Sequence, residues 1–136
     1  MSKAEPADAD AAAAAVSVEC IIPILNVASV AASIAYYTSM LGFKTDWDVG
    51  TMASVSRDGR AIMLCQQAQG QPGTWVWIGV EDIEPLYADL VAKGASIRLP
   101  PTNYYWAYEV RIEDPDGHVL RFGSDPKTDR PTVAAE

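Results

Sequence analysis

The chain has 136 residues, a net charge of −8, 49% hydrophobic and 21% charged residues. That length suits one domain with a sizeable core and is too short for two ordinary ones. The acidic balance works against nucleic acid and anionic membrane surfaces and favours cationic partners, and no apolar run approaches the roughly 20 residues of a membrane helix.

Residues 1–16, "MSKAEPADADAAAAAV", are Ala/Asp-rich and read as a disordered tail; Asp8 and Asp10 interrupt any apolar h-region, which argues against a signal peptide and for a cytoplasmic protein. "VECIIPILNV" follows as a first strand. Pro23 within it cannot donate to a sheet ladder, so this strand belongs at an edge or is exchanged with another subunit. In "SVAASIAYYTSMLG", Ser29 caps a helix, Val30, Ile34, Tyr37 and Leu41 share one face, and Gly42 supplies the stop. Three short strands come next, "FKTDWDV", "MASVS" and "RAIMLCQ", parted by turns at Gly50 and Asp58-Gly59. Cys20 and Cys65 fall inside apolar strands without a CxxC spacing and read as free, buried thiols in a reducing compartment.

The second half repeats the first. "TWVWIGV" is a strand; "EDIEPLYADLVAKG" is a helix capped by Asp82, with Ile83, Tyr87 and Leu90 inward, Pro85 tolerated in its first turn and Gly94 closing it. "ASIRL", "WAYEVRIE" and "HVLRF" complete the set, the last two joined through "DPDG". Val27, Ser29, Val30 and Ile34 register with Val80, Asp82, Ile83 and Tyr87, and Asp58-Gly59 registers with Asp116-Gly117. The repeat is one βαβββ unit used twice, at about 17–67 and 73–125, within a single domain over 17–125; residues 126–136 read as a loose tail. The fold class is therefore α+β: a curved, cup-shaped mixed sheet with helices on its convex side and a bare concave face for a ligand.

Strand alternation assigns the faces. Ile21, Pro23, Leu25, Val27, Ile62, Leu64, Val76, Ile78, Val80, Val110, Ile112, Leu120 and Phe122 face the helices. Cys20, Ile22, Ile24, Asn26, Ala61, Met63, Cys65, Trp75, Trp77, Glu109, Arg111, Glu113 and Arg121 face the cup. Tyr104, Tyr105 and Trp106 form an aromatic rim, and Asp46 and Asp48 flank Trp47 with opposite parity, which puts carboxylates near the opening.

The order "PILNV", "SIAYY", "LGF", then "TWVWIGVEDI", "LYADL" and "WAYEVRIEDPDGH" resembles the vicinal oxygen chelate superfamily of glyoxalases, bleomycin-resistance proteins and dioxygenases over roughly residues 17–125. The nearest likeness is to its metal-free, bleomycin-resistance branch. In metal-dependent members four cup positions carry His or Glu ligands; the resemblance places those positions here at Ile22, Met63, Trp75 and Arg121. None of the four supplies an imidazole or carboxylate, so neither metal nor other cofactor is expected. His118, the sole histidine, reads as a surface or turn residue. Glu109 and Glu113 beside Arg111 and Arg121 suggest a cross-strand charge network, direct ligand contact, or both.

These features imply a small-molecule binder rather than an enzyme. Trp75, Trp77, Met63, Ile22, Glu109, Arg111, Arg121, Tyr104, Trp106 and Asp46 are the candidate ligand contacts. An aromatic cleft rimmed by acids suits a bulky aromatic, cationic compound such as a bleomycin-family antibiotic, held by stacking, cation–π attraction and charge steering. The resemblance also implies a homodimer, with possible exchange of the N-terminal strand. The rival readings are a glyoxalase- or dioxygenase-like enzyme, a metal-free enzyme using Glu109 or Glu113 as base, or a binder of another metabolite or antibiotic.

Overall fold

The computed structural model describes residues 16–134. The expected N-terminal tail, apart from Val16, lies outside the described residues. Its elements are β1 (Ile24–Val27), α1 (Val30–Ser39), β2 (Lys44–Asp48), β3 (Met52–Arg57), β4 (Arg60–Gln66), β5 (Trp75–Gly79), α2 (Ile83–Ala92), β6 (Ser96–Asn103), β7 (Tyr108–Glu113) and β8 (Val119–Ser124). The βαβββ unit is present twice. Sheet A runs β1-β4-β3-β2 and sheet B runs β5-β8-β7-β6, each with one parallel pair among antiparallel ones.

Both helices start where their caps direct. The Ser29 hydroxyl accepts the Ala32 amide at 3.1 Å, and the Asp82 carboxylate accepts that of Glu84 at 3.0 Å; each satisfies a donor that the first turn leaves orphaned. The β3–β4 hairpin closes on Asp58 (φ 52°) and Gly59 (φ 77°), the left-handed pair that a tight hairpin turn demands.

One core unites the two units. Leu25, Val27, Val30, Tyr37, Val55 and Leu64 join Ile83, Leu90, Val110, Ile112, Leu120 and Phe122 in a single buried cluster. The alternation expected for these strands therefore holds, with one exception. Ile21 is 88% exposed and lies before β1. The parallel ladder stops at Pro23, whose carbonyl accepts the Met63 amide at 2.9 Å but which has no N–H to return. Consequently Cys20 is exposed rather than buried, while Cys65 is buried; both are free thiols. Consistent with Pro23, β1 is an edge strand.

The junction between units is polar and centred on the "DPDG" turn. Asp116 Oδ1 accepts the Ala28 amide at 2.9 Å, and Asp114 Oδ2 accepts the Tyr37 hydroxyl at 2.8 Å. His118 is fully buried there, not on the surface as its turn position suggested. Its Nδ1 accepts the Thr74 amide at 3.0 Å, which leaves Nε2 to donate to the Asn26 carbonyl at 2.6 Å. The C-terminal stretch expected to be loose is held along Asn103, which donates to the Lys127 carbonyl at 3.0 Å and accepts the Lys127 amide at 2.8 Å.

Candidate functional site

Sheet B carries half of the expected site: Trp75, Trp77, Glu109, Arg111 and Arg121. In register, Trp77 lies beside Arg121, Arg121 beside Arg111, and Gly123 beside Glu109, and directly opposed residues share a face. Glu109 is fully buried and forms the hub: its Oε2 accepts from Arg111 Nε at 2.9 Å and Arg121 Nε at 3.0 Å, its Oε1 from Arg121 Nη2 at 2.9 Å. Burial alone would raise its carboxyl, but the hydrogen bonds and charges of the two arginines outweigh it, and the group is held below its ordinary value. A general base working near neutrality needs the opposite displacement. Glu113 is engaged by Arg98 at 3.0 Å.

The indoles lie over these charges. Arg121 sits 5.3 Å from the Trp77 ring; Arg98 and Arg111 sit 5.2 and 5.5 Å from that of Trp75. Trp77 crosses β8 directly above Gly123, so that a Cβ there would fall 2.0 Å from the ring. Even so, Trp75 and Trp77 remain 48% and 49% exposed. Cationic side chains hold two broad aromatic surfaces against the sheet and leave part of each open to a ligand.

Arg98 was not among the expected residues. A bulge between Ile97 and Leu99 makes it the extra residue of β6, and no local pattern in "ASIRL" announces this. Gly123 did carry a signal, since a glycine inside a strand marks a close approach.

Sheet A supplies a second concave face with Met63, half-buried, paired to Ile24 and Ser54. Ile22 is half-buried just before β1. A bulge between Thr45 and Trp47 makes Asp46 the extra residue of β2 and sets Trp47 opposite Ser54. The simple alternation of Asp46, Trp47 and Asp48 is therefore broken. Asp46 accepts the Ser56 hydroxyl at 2.8 Å and the Ser54 hydroxyl at 3.2 Å, both serines being buried. Asp48 instead caps its own turn by accepting the Gly50 amide at 2.8 Å.

At the rim, Tyr104 is buried and supports Trp106 by parallel stacking at 4.4 Å and 8°, while Tyr105 stands edge-on to Trp106 at 5.0 Å. Of these three, Tyr105 and Trp106 present open surface. Among the described residues no strand of sheet A pairs with one of sheet B, so Met63 lies on one sheet, with Ile22 just ahead of its β1, and Trp75 and Arg121 lie on the other.

An alkyl group, a thioether, an indole and a guanidinium make no donor set for a hard or borderline divalent ion. Among the described residues, no three His, Cys, Asp or Glu side chains come together as a metal-binding group.

This fold and its concave faces define a known class of protein. The family model of the Glyoxalase/Bleomycin resistance protein/Dioxygenase superfamily matches residues 17–122, and the chain belongs to that superfamily. Among solved structures, TioX from Micromonospora sp. ML1 superposes with a TM-score of 0.70 at 17% identity, covering 79% of this chain and 98% of that one. An integron cassette protein from the mobile metagenome of the Halifax Harbour sewage outfall gives 0.69 at 27% identity, over 79% of this chain and 99% of the other. The bleomycin-binding protein of bleomycin-producing Streptomyces verticillus, solved with copper(II)-bleomycin, gives 0.64 at 21% identity, over 82% and 99%. None of the curated proteins matches the sequence.

Proposed function

We propose that this chain is a metal-free binding protein that sequesters a bulky aromatic, cationic compound, of which the bleomycin-family antibiotics are the model, and confers resistance by stoichiometric binding without making or breaking a bond. The observation that carries this reading is the pair of half-exposed indoles of Trp75 and Trp77, backed by Arg98, Arg111 and Arg121 and keyed to Glu109. Such surfaces take up flat rings by offset stacking, and the net charge of −8 draws cations toward them. Trp106 at the rim and Asp46 on sheet A are the further contacts, with Ile22 and Met63 as apolar lining.

Each concave face of the single chain is bare. A cup closed on both sides calls for sheet A of one chain against sheet B of a second, and we place the ligand in the two clefts so formed. The homodimer, any exchange of the edge strand β1, and a cytoplasmic setting belong to this proposal; no described helix is long and apolar enough to cross a membrane. Titration of tryptophan fluorescence with bleomycin, alongside sedimentation of the free and loaded protein, tests it. Quenching that saturates at one ligand per chain on a dimer is the expected result, and the absence of saturable binding refutes it.

A further inference from the structure

Beside the indole platform lies a smaller hollow of ≈ 460 Å³, lined by Trp77 and Trp106 with Gly79, Ala107 and Gly123 between them and Glu81 and Asp125 at its edge. Gly79 and Gly123 face each other in register across β5 and β8. The Trp77 indole takes the space that a side chain at Gly123 would need, and its Nε1 lies 3.5 Å from where a Cβ at Gly79 would fall, so the paired glycines seat this ring close to the sheet as one wall of the hollow. Nothing in "WIGV" or "RFGS" alone joins the two glycines; the parallel pairing does.

The electrostatics of the hollow are one-sided. Among the described residues, the side chains of Glu81 and Asp125 enter no ion pair or hydrogen bond, although basic residues lie close in sequence. Lys127 is directed to Asp82 at 3.3 Å, and Arg130 to Glu84 at 3.1 Å and Asp129 at 2.8 Å. Two indoles and two exposed carboxylates line an open hollow of the kind that receives organic cations, the rings through their quadrupoles and the acids through charge. Arg121 reaches Trp77 but is bound to Glu109 at 2.9 Å on the neighbouring strand.

We infer that this hollow is a seat for an organic ammonium group. It deepens the binding function proposed above: the flat part of the ligand would lie on Trp75 and Trp77, and its cationic substituent between Trp77 and Trp106, facing Glu81 and Asp125.

The probe is choline, with 3,3-dimethyl-1-butanol as its uncharged isostere, titrated while the indole N–H resonances of Trp77 and Trp106 are followed. Choline is expected to shift both resonances with saturation, and the alcohol to bind more weakly. Glu81→Gln together with Asp125→Asn, both exposed positions, should weaken choline about tenfold and leave the alcohol unchanged. Trp106→Ala, checked for folding by circular dichroism, should weaken it to a similar degree. Choline binding that is unaltered in the Gln/Asn variant, or absent in the native protein, overturns the assignment. Bleomycin titrated into the same samples separates the two proposals. Uptake of choline without bleomycin leaves the hollow standing and removes the antibiotic reading; uptake of bleomycin with choline indifferent to both acids does the reverse.

Discussion

Trp77 lies flat on Gly123: a single added carbon at that glycine would sit 2.0 Å from the indole ring. The two residues are on neighbouring strands, and the glycine sets the plane of the ring. Gly123→Ala should therefore lift the indole off the sheet. The clash is with a movable side chain, so the expected loss of stability is about 1–3 kcal/mol, as for overpacking elsewhere. Near-UV circular dichroism should change while the far-UV spectrum does not, and the affinity for an aromatic ligand should fall about tenfold. An unchanged near-UV spectrum would show that the ring does not depend on Gly123.

Glu109 is the acid on which Arg111 and Arg121 converge. Its replacement by Gln keeps the shape and removes the charge that two buried or half-buried guanidiniums share. A cost of about 3–5 kcal/mol is expected, measured by urea denaturation at neutral pH.

The same residue predicts a pH dependence. Its folded carboxyl lies below the ordinary glutamate value of 4.5. A depressed folded value contributes stability that is complete above 4.5 and is lost as the pH falls through the folded value. The native protein should thus lose stability on acidification below that point, and Glu109→Gln should lose less over the same interval. Parallel acid-titration curves for the two proteins would contradict this.

His118 ties the second unit to the first through the Asn26 carbonyl and holds the Thr74 amide within its own unit. In His118→Ala both part-buried backbone partners lose their bonds, at up to about 1–3 kcal/mol for each group left unsatisfied. Denaturant unfolding should show this loss, with a transition that broadens as the units uncouple.

Trp75→Ala removes one of the two exposed indoles of β5 with little effect on the core, because the side chain lies outside it. Bleomycin affinity should drop about tenfold, with folding stability changed by under about 1 kcal/mol. Full affinity in this variant would remove stacking on Trp75 from the proposed mechanism.

Residue order alone was enough for the doubled βαβββ plan, because its determinants act over a few neighbours. Ser29 and Asp82 cap the residues next to them, Asp58-Gly59 imposes its own turn, and alternation separates Val76 and Ile78 from Trp75 and Trp77. The pairing of Arg121 with Glu109 was also within reach, since two adjacent antiparallel strands of known parity bring those positions close. Other features had no local signature. The bulges that reposition Asp46 and Arg98 arise from how two strands match in length and twist. His118 is buried because another unit closes over its turn, and Ile21 is exposed because the ladder ends at Pro23. The small hollow needs residues from β5, β8 and the segments that follow or precede three strands. Short-range steric and hydrogen-bond preferences shape each segment wherever it sits, whereas a site assembled from distant segments exists only once packing has brought them to one place.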